Sequence, residues 1–215
     1  PKPIYGVNGS GMHTHQSLFK GDRNTFFDAK AKYHLSETAK SYMAGILNHA
    51  PELCSVICQT VNSYKRLVPG YEAPAYICWA NRNRSAMIRV PMYKPGKEKA
   101  TRIEMRAPDP ACNPYLAFAV MLGAGLEGIE KGYKAPEPVE TDVFDMSAAE
   151  MAEANIKAMP ASLGQAIELT EGSELVRKIL GDHVFNAFIR SKKVEWERYR
   201  TQVFQYEIDE YLPLL

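Results

Sequence analysis

From Tyr115 to Ile129 the chain is apolar at nearly every position, with Glu127 the one charge. A helix that is apolar on all sides belongs in an interior. Asn113-Pro114 supplies its start, an amide cap followed by a proline suited to the first turn. The run is shorter than the roughly 20 residues needed to cross a bilayer, so it reads as the centre of a globular core. No signal-peptide pattern opens the chain. With 215 residues and a net charge of +1, the chain can bury a sizeable core and carries no global field that selects nucleic acid or an anionic membrane. Cys54, Cys58, Cys78 and Cys112 lack paired metal spacing and read as buried thiols of a reducing cytoplasm.

The other elements are expected to pack around that helix. Asn8-Gly9-Ser10-Gly11 is a flexible bend leading into a strand on which His13, His15 and Ser17 share one face and Met12, Thr14 and Gln16 the other. Alone, such a stretch is an ordinary loop and exposed edge. Lys20 to Asn24 turns back towards Thr25-Phe26-Phe27 as a hairpin. Ser36 caps a helix carrying Tyr42, Met43, Ile46 and Leu47, and Pro51 is expected to open a second short helix to about Thr60. Asn62 to Pro74 reads as a loop. Strands are expected at 75–80, 85–90 and 101–106, and Lys131 to Thr141 is expected to be an exposed linker. Capping residues at Ser147 and Ser162 predict two short helices. A long helix is expected from about Asp182 to Glu207, followed by the apolar tail Tyr211-Leu212-Pro213-Leu214-Leu215, which should dock on something, its own domain or another subunit.

Chemistry concentrates in a few stretches. Thr101-Arg102-Ile103-Glu104-Met105-Arg106 alternates, sending Arg102, Glu104 and Arg106 to one face and Ile103 and Met105 to the core. Arg84 and Arg89 are expected nearby in the same sheet. Several guanidiniums around one sheet repel one another unless anions lie among them, and their planar forks suit carboxylates and phosphates. The bland alternative is a solvated charged face. Glu104 with His13 forms half a ligand set for a hard divalent cation, Mg²⁺ or Mn²⁺.

Taken together, Lys2-Pro3 leading to Asn8-Gly9-Ser10-Gly11-Met12-His13-Thr14-His15-Gln16-Ser17 resembles the ATP-region signature of the glutamine synthetase family. Asn62 to Pro74, with Gly70-Tyr71-Glu72-Ala73-Pro74, resembles its flap. Asn83-Arg84-Ser85-Ala86 and Arg102 to Arg106 resemble its later signatures, followed by Pro108-Asp109-Pro110-Ala111-Cys112-Asn113-Pro114-Tyr115-Leu116. The resemblance implies an α+β fold, part of a glutamine synthetase/guanido kinase-like catalytic domain: a curved antiparallel sheet packed with helices and a long C-terminal helix. Residues 1–110 would hold the sheet, flap and site, and 111–215 would be mainly helical.

Further implications are specific. His13 and Glu104 look like metal ligands. His15, Ser17, Arg84, Arg89, Lys99 and Arg102 resemble ATP contacts, and Asn8, Gly9, Arg66 and Arg106 a glutamate-binding set. Glu72 and Arg84 would be catalytic, Glu72 as the flap carboxylate that takes a proton from ammonium. The expected reaction is ATP-dependent ligation of ammonia to the γ-carboxylate of glutamate through an acyl phosphate, in a cytoplasmic dodecamer of two stacked hexamers. The apolar tail resembles the segment that reaches into the opposite ring. The alternatives are a ligase for polyamines or other amines, against which the intact flap argues, and a non-catalytic structural homologue. Cys58-Gln59 and Phe144 depart from the family pattern. Phe144 lies where one subclass carries a modified tyrosine and has no hydroxyl. A preceding N-terminal part with further metal carboxylates is expected, so residues 1–215 alone are expected to be inactive.

Overall fold

Short strands come first in the chain and long helices dominate its second half. The computed structural model describes residues 1–214 except Glu72 and Arg82. In chain order the elements are β1 (Thr14–Gln16), β2 (Phe19–Lys20), β3 (Arg23–Asn24), α1 (Glu37–Ile57), α2 (Ser63–Arg66), β4 (Tyr76–Ile77), β5 (Trp79–Ala80), β6 (Ile88–Arg89) and β7 (Ile103–Met105). There follow α3 (Pro114–Glu130), α4 (Ala148–Glu153), β8 (Lys157–Ala158), α5 (Leu163–Glu171), α6 (Glu174–Arg200) and α7 (Gln205–Tyr211). The fold is α+β, as expected, and no helix among the described residues is long and apolar enough to cross a membrane.

The central helix forms where the sequence predicts, but it is not interior on all sides: Tyr115, Phe118, Leu122 and Leu126 are exposed along one face. Asn113 Oδ1 accepts from the Tyr115 and Leu116 amides, and Pro114 occupies the first turn. Its small residues set how close α1 comes. A Cβ on Gly128 would lie 2.2 Å from the Ser41 carbonyl oxygen, and one on Gly45 would lie 2.1 Å from that of Ala124. The two backbones therefore touch, and only glycine permits it. Around this contact one continuous core gathers Tyr42, Met43, Ile46, Leu53, Val120, Met121 and Ala124, then extends to Ile88, Ile103 and Met105 beneath the sheet.

Five expectations need correction. Asn62 to Pro74 is not loop throughout, because Ser63–Arg66 form α2. Pro51 does not open a second helix: α1 runs through it to Ile57, because Leu53, Val56 and Ile57 continue the buried face beyond it. The C-terminal helix starts at Glu174, capped by Ser173, bends at Gly181 (φ 73°) and ends at Arg200, with α7 separate. The main sheet, in the order β1-β7-β6-β5, is mixed: β5 runs parallel to β6, while the β1–β7 and β6–β7 pairs are antiparallel. Finally, Lys131 to Thr141 is no free linker, since the Val139 amide donates to the Trp79 carbonyl and Trp79 Nε1 donates to that of Pro136.

Sheet register sorts the side chains. Met105 pairs with both Thr14 and Ile88, and Ile88 with Trp79, so that row packs on the core. On the opposite face Glu104 lies between His15 and Arg89. Glu104 is nevertheless buried, 3% exposed, because its neighbours cover it. The tail residues Leu212 and Leu214 are exposed, so they do not dock on this chain's own surface.

Candidate functional site

Glu104 is the hub of the polar face. Its Oε1 lies 3.0 Å from His13 Nδ1 and 3.7 Å from Arg106 Nη1, while Oε2 accepts from Arg89 Nε at 2.5 Å. Burial pushes its carboxyl up, but the Arg89 hydrogen bond and the charges of Arg89, Arg106 and His13 outweigh burial, holding it below the usual carboxylate range. Both histidines are held below the usual imidazole range. Burial is the main cause for each, with Arg106 adding to it at His13 and Arg102 at His15. Arg102 Nε donates to His15 Nδ1 at 3.0 Å, which requires that nitrogen to be unprotonated. Neutral imidazoles beside an ionised carboxylate are the protonation states that ligate cations.

Next to this cluster, the Gly-rich stretch and the flap enclose a cavity of about 150 Å³. Asn8, Gly9, Arg66 and Arg106 line it together with His13, Gly11 and Tyr71. Arg66 is buried and donates from Nη1 to the Ala107 carbonyl (2.7 Å) and from Nη2 to that of Arg106 (2.9 Å). Two carbonyls thus aim one guanidinium at the cavity. Gly11 is needed there, because a Cβ would lie 2.5 Å from Arg66 Nη2 and 3.0 Å from His13 Nε2.

A second hollow, about 390 Å³, lies along β1 and is lined by His15, Ser17, Tyr42, Phe118 and Met121. Arg102 reaches its edge through His15. Lys99 stands exposed on a short 3-10 turn (Glu98–Ala100), 3.5 Å from Asp22 Oδ1. Arg84 lies outside the strands and is exposed, so it does not join the sheet as expected. It follows Asn83, whose side chain holds the 139–141 segment, and the turn ends before β6 begins. Glu72 lies outside the described residues, and its expected place on the flap is left to experiment.

As a metal centre the arrangement is partial. Among the described residues no group of three or more His, Cys, Asp or Glu side chains gathers. His13 and Glu104 supply two facing donors of the imidazole-plus-carboxylate type that Mg²⁺ or Mn²⁺ accepts.

Sequence reasoning overlooked three supports. Asn24 is buried, and its Nδ2 reaches the carbonyls of Glu98, Lys99 and Thr101, tying the β2–β3 hairpin to the segment that leads into β7. Tyr71 walls the cavity. Asp109 is fully buried, its Oδ1 accepting from the Ala111 amide. An asparagine in a turn and an aspartate between prolines are common loop residues, so neither stood out.

Comparison with known proteins agrees with this architecture. The family model described as the glutamine synthetase catalytic domain matches residues 1–211. A glutamine synthetase of Methanococcus maripaludis is 52% identical over 214 residues, covering 100% of this chain and 47% of that protein. One from Mycolicibacterium smegmatis is 51% identical, covering 100% and 48%. A solved structure described as a GmaS/ADP complex superposes with a TM-score of 0.87 at 34% identity, covering 99% of this chain and 48% of that one. This chain therefore spans about half the length of the relatives it matches. By family model, by identity and by fold, it belongs to the glutamine synthetase family, within the catalytic domain.

Proposed function

We propose that the protein containing this chain joins ammonia to the γ-carboxylate of L-glutamate at the expense of ATP. The observation that carries this reading is the cavity in which Asn8, Gly9, Arg66 and Arg106 meet beside the His13–Glu104 pair. A small amino acid with two carboxylates suits a pocket walled by two guanidiniums and by the backbone of a glycine-rich turn. The hollow that His15 and Ser17 line is the proposed ATP side, with Arg102, Arg89 and Lys99 proposed to contact the nucleotide there.

On this reading a γ-carboxylate oxygen attacks the terminal phosphorus of ATP and ADP departs. Ammonia then adds to the acyl carbon, phosphate leaves, and the proton lost from nitrogen passes to Glu72. Arg66 holds the substrate carboxylate, and Arg106 and Arg89 offset the charge developing on transferred oxygens. Arg84, exposed on its turn, is proposed to reach the phosphates when the site closes. His13 and Glu104 would hold Mg²⁺ or Mn²⁺, which neutralises phosphate charge when bound. Two donors do not complete a coordination shell, so substrate oxygens, water or residues beyond this chain supply the rest. The flap, residues 62–74, excludes water from the acyl phosphate.

We assign the whole protein to the cytoplasm as a homo-oligomer, a dodecamer of two stacked hexamers, with the exposed tail at a subunit contact. Residues 1–110 are assigned the site and 111–215 the helical support. An ATP-dependent assay of the whole protein tests the reading with ammonium, with putrescine and without amine. Glutamine formed with ammonium alone supports it. Turnover with putrescine in preference to ammonium moves the assignment to an amine ligase, and no glutamate-dependent ADP release in any arm rejects catalysis.

A further inference from the structure

Lys2 is an unusual residue to bury: it is 9% exposed, and among the described residues it forms no ion pair. Its backbone and side chain are both engaged. The Lys2 amide donates to Asn62 Oδ1 (2.7 Å), and Asn62 Nδ2 returns a hydrogen bond to the Lys2 carbonyl (3.0 Å). Asn62 opens the flap. The Lys2 ammonium donates to the carbonyl of Val7, immediately before Asn8, and sits 3.8 Å from the centre of the Tyr71 ring. Just upstream, the Pro1 carbonyl accepts from the Ser10 amide (2.7 Å). Residues 1 and 2 thus touch both walls of the cavity, the Gly-rich stretch and the flap. A methionine would fill the same space without the desolvation cost of a charge. The charge is therefore needed for its two contacts: a carbonyl dipole and the negative face of an aromatic ring.

We propose that Lys2 is a positioning residue whose ammonium clasps the flap at Tyr71 to the Gly-rich stretch at Val7, keeping the two walls of the cavity in register. Naming the cavity's occupant as glutamate rests on the function proposed above, whereas the clasp rests on these contacts alone.

Hydrogen exchange tests it without turnover. The probes are the flap amides of Lys65, Leu67 and Val68, each with a backbone partner, and amides of α1 serve as an internal reference. Lys2→Met and Tyr71→Leu should each speed exchange at the flap amides several-fold while leaving α1 unchanged. The double variant should be no faster than either single one, since both remove the same contact. Lys2→Arg keeps the charge over the ring and should restore slow exchange. Unchanged flap exchange in Lys2→Met, or additive effects in the double variant, would overturn the proposal. If Lys2→Met does not fold, Tyr71→Leu, at a half-buried loop position, decides alone: faster flap exchange supports the clasp and unchanged exchange rejects it. Adding L-glutamate to the unmodified protein separates the two ideas. Failure of glutamate to slow the flap, with the Lys2 effect intact, counts against the glutamate reading and not against the clasp.

Discussion

Glu104 shows how one side chain organises a site. The middle strand places it opposite His15 on one side and Arg89 on the other, and its two oxygens meet His13 and Arg89. Replacing it with glutamine should leave the fold recognisable while removing the only carboxylate in that cluster of described side chains. The consequence for pH follows from linkage. Its folded carboxyl titrates below the ordinary value of 4.5, so the unfolded chain binds protons first as pH falls. Its stabilisation is complete above that value and is lost as pH drops through the depressed range. Thermal melting should therefore show a steeper acid loss in the unmodified protein than in Glu104→Gln; parallel curves would mean that the pair contributes nothing to stability. The histidines act in the same direction: held below 6.5 when folded, they favour the native state above that pH and weaken it below.

At the scale of elements, the α1–α3 contact positions everything above it. Gly45 and Gly128 bring carbonyls to within reach of any added methyl, so Gly128→Ala should cost about 1–3 kcal/mol by overpacking. A lower urea midpoint at unchanged slope checks this, and an unchanged midpoint would show that the helices can separate without loss. Periodicity and capping made α1, α3, α4 and α5 legible in the sequence, since Ser36, Asn113, Ser147 and Ser162 all cap as expected. Pro51 was misleading because burial beyond a proline can outweigh one missing amide hydrogen bond. The parallel β5–β6 pair was illegible because the connection, residues 81–87, is short, and a short connection ordinarily returns the chain antiparallel. The site divides similarly. Alternation placed Glu104 and Arg106 on the polar side of their strand, whereas Arg84 was misplaced because nothing local distinguishes a strand end from the turn before it. Asn24 acts through distant backbone carbonyls, Asp109 accepts from an amide only two residues on, and neither leaves a periodic trace.

For the whole molecule, apolar surface is the outstanding property. Tyr115, Phe118, Leu122 and Leu126 line an exposed stripe of α3, and Tyr206, Tyr211, Leu212 and Leu214 crowd the C-terminal end. Exposed stripes of this kind mark contacts with other chains or segments. Deleting residues 204–215 should lower the association state seen in sedimentation velocity, and an unchanged state would remove the tail from the subunit contact. The central claim remains the convergence of the Gly-rich stretch, the flap arginine and the Glu104 strand on one substrate cavity. Glutamate titration of the whole protein carrying Arg66→Lys tests it most directly, because lysine keeps the charge but cannot fork between the two carbonyls and the ligand. The account predicts a glutamate half-saturation raised at least about tenfold, equivalent to roughly 1.4 kcal/mol of binding, with that for ATP unchanged and the melting temperature lowered by the buried carbonyl left without its donor. An unaltered glutamate dependence in a folded variant would contradict it.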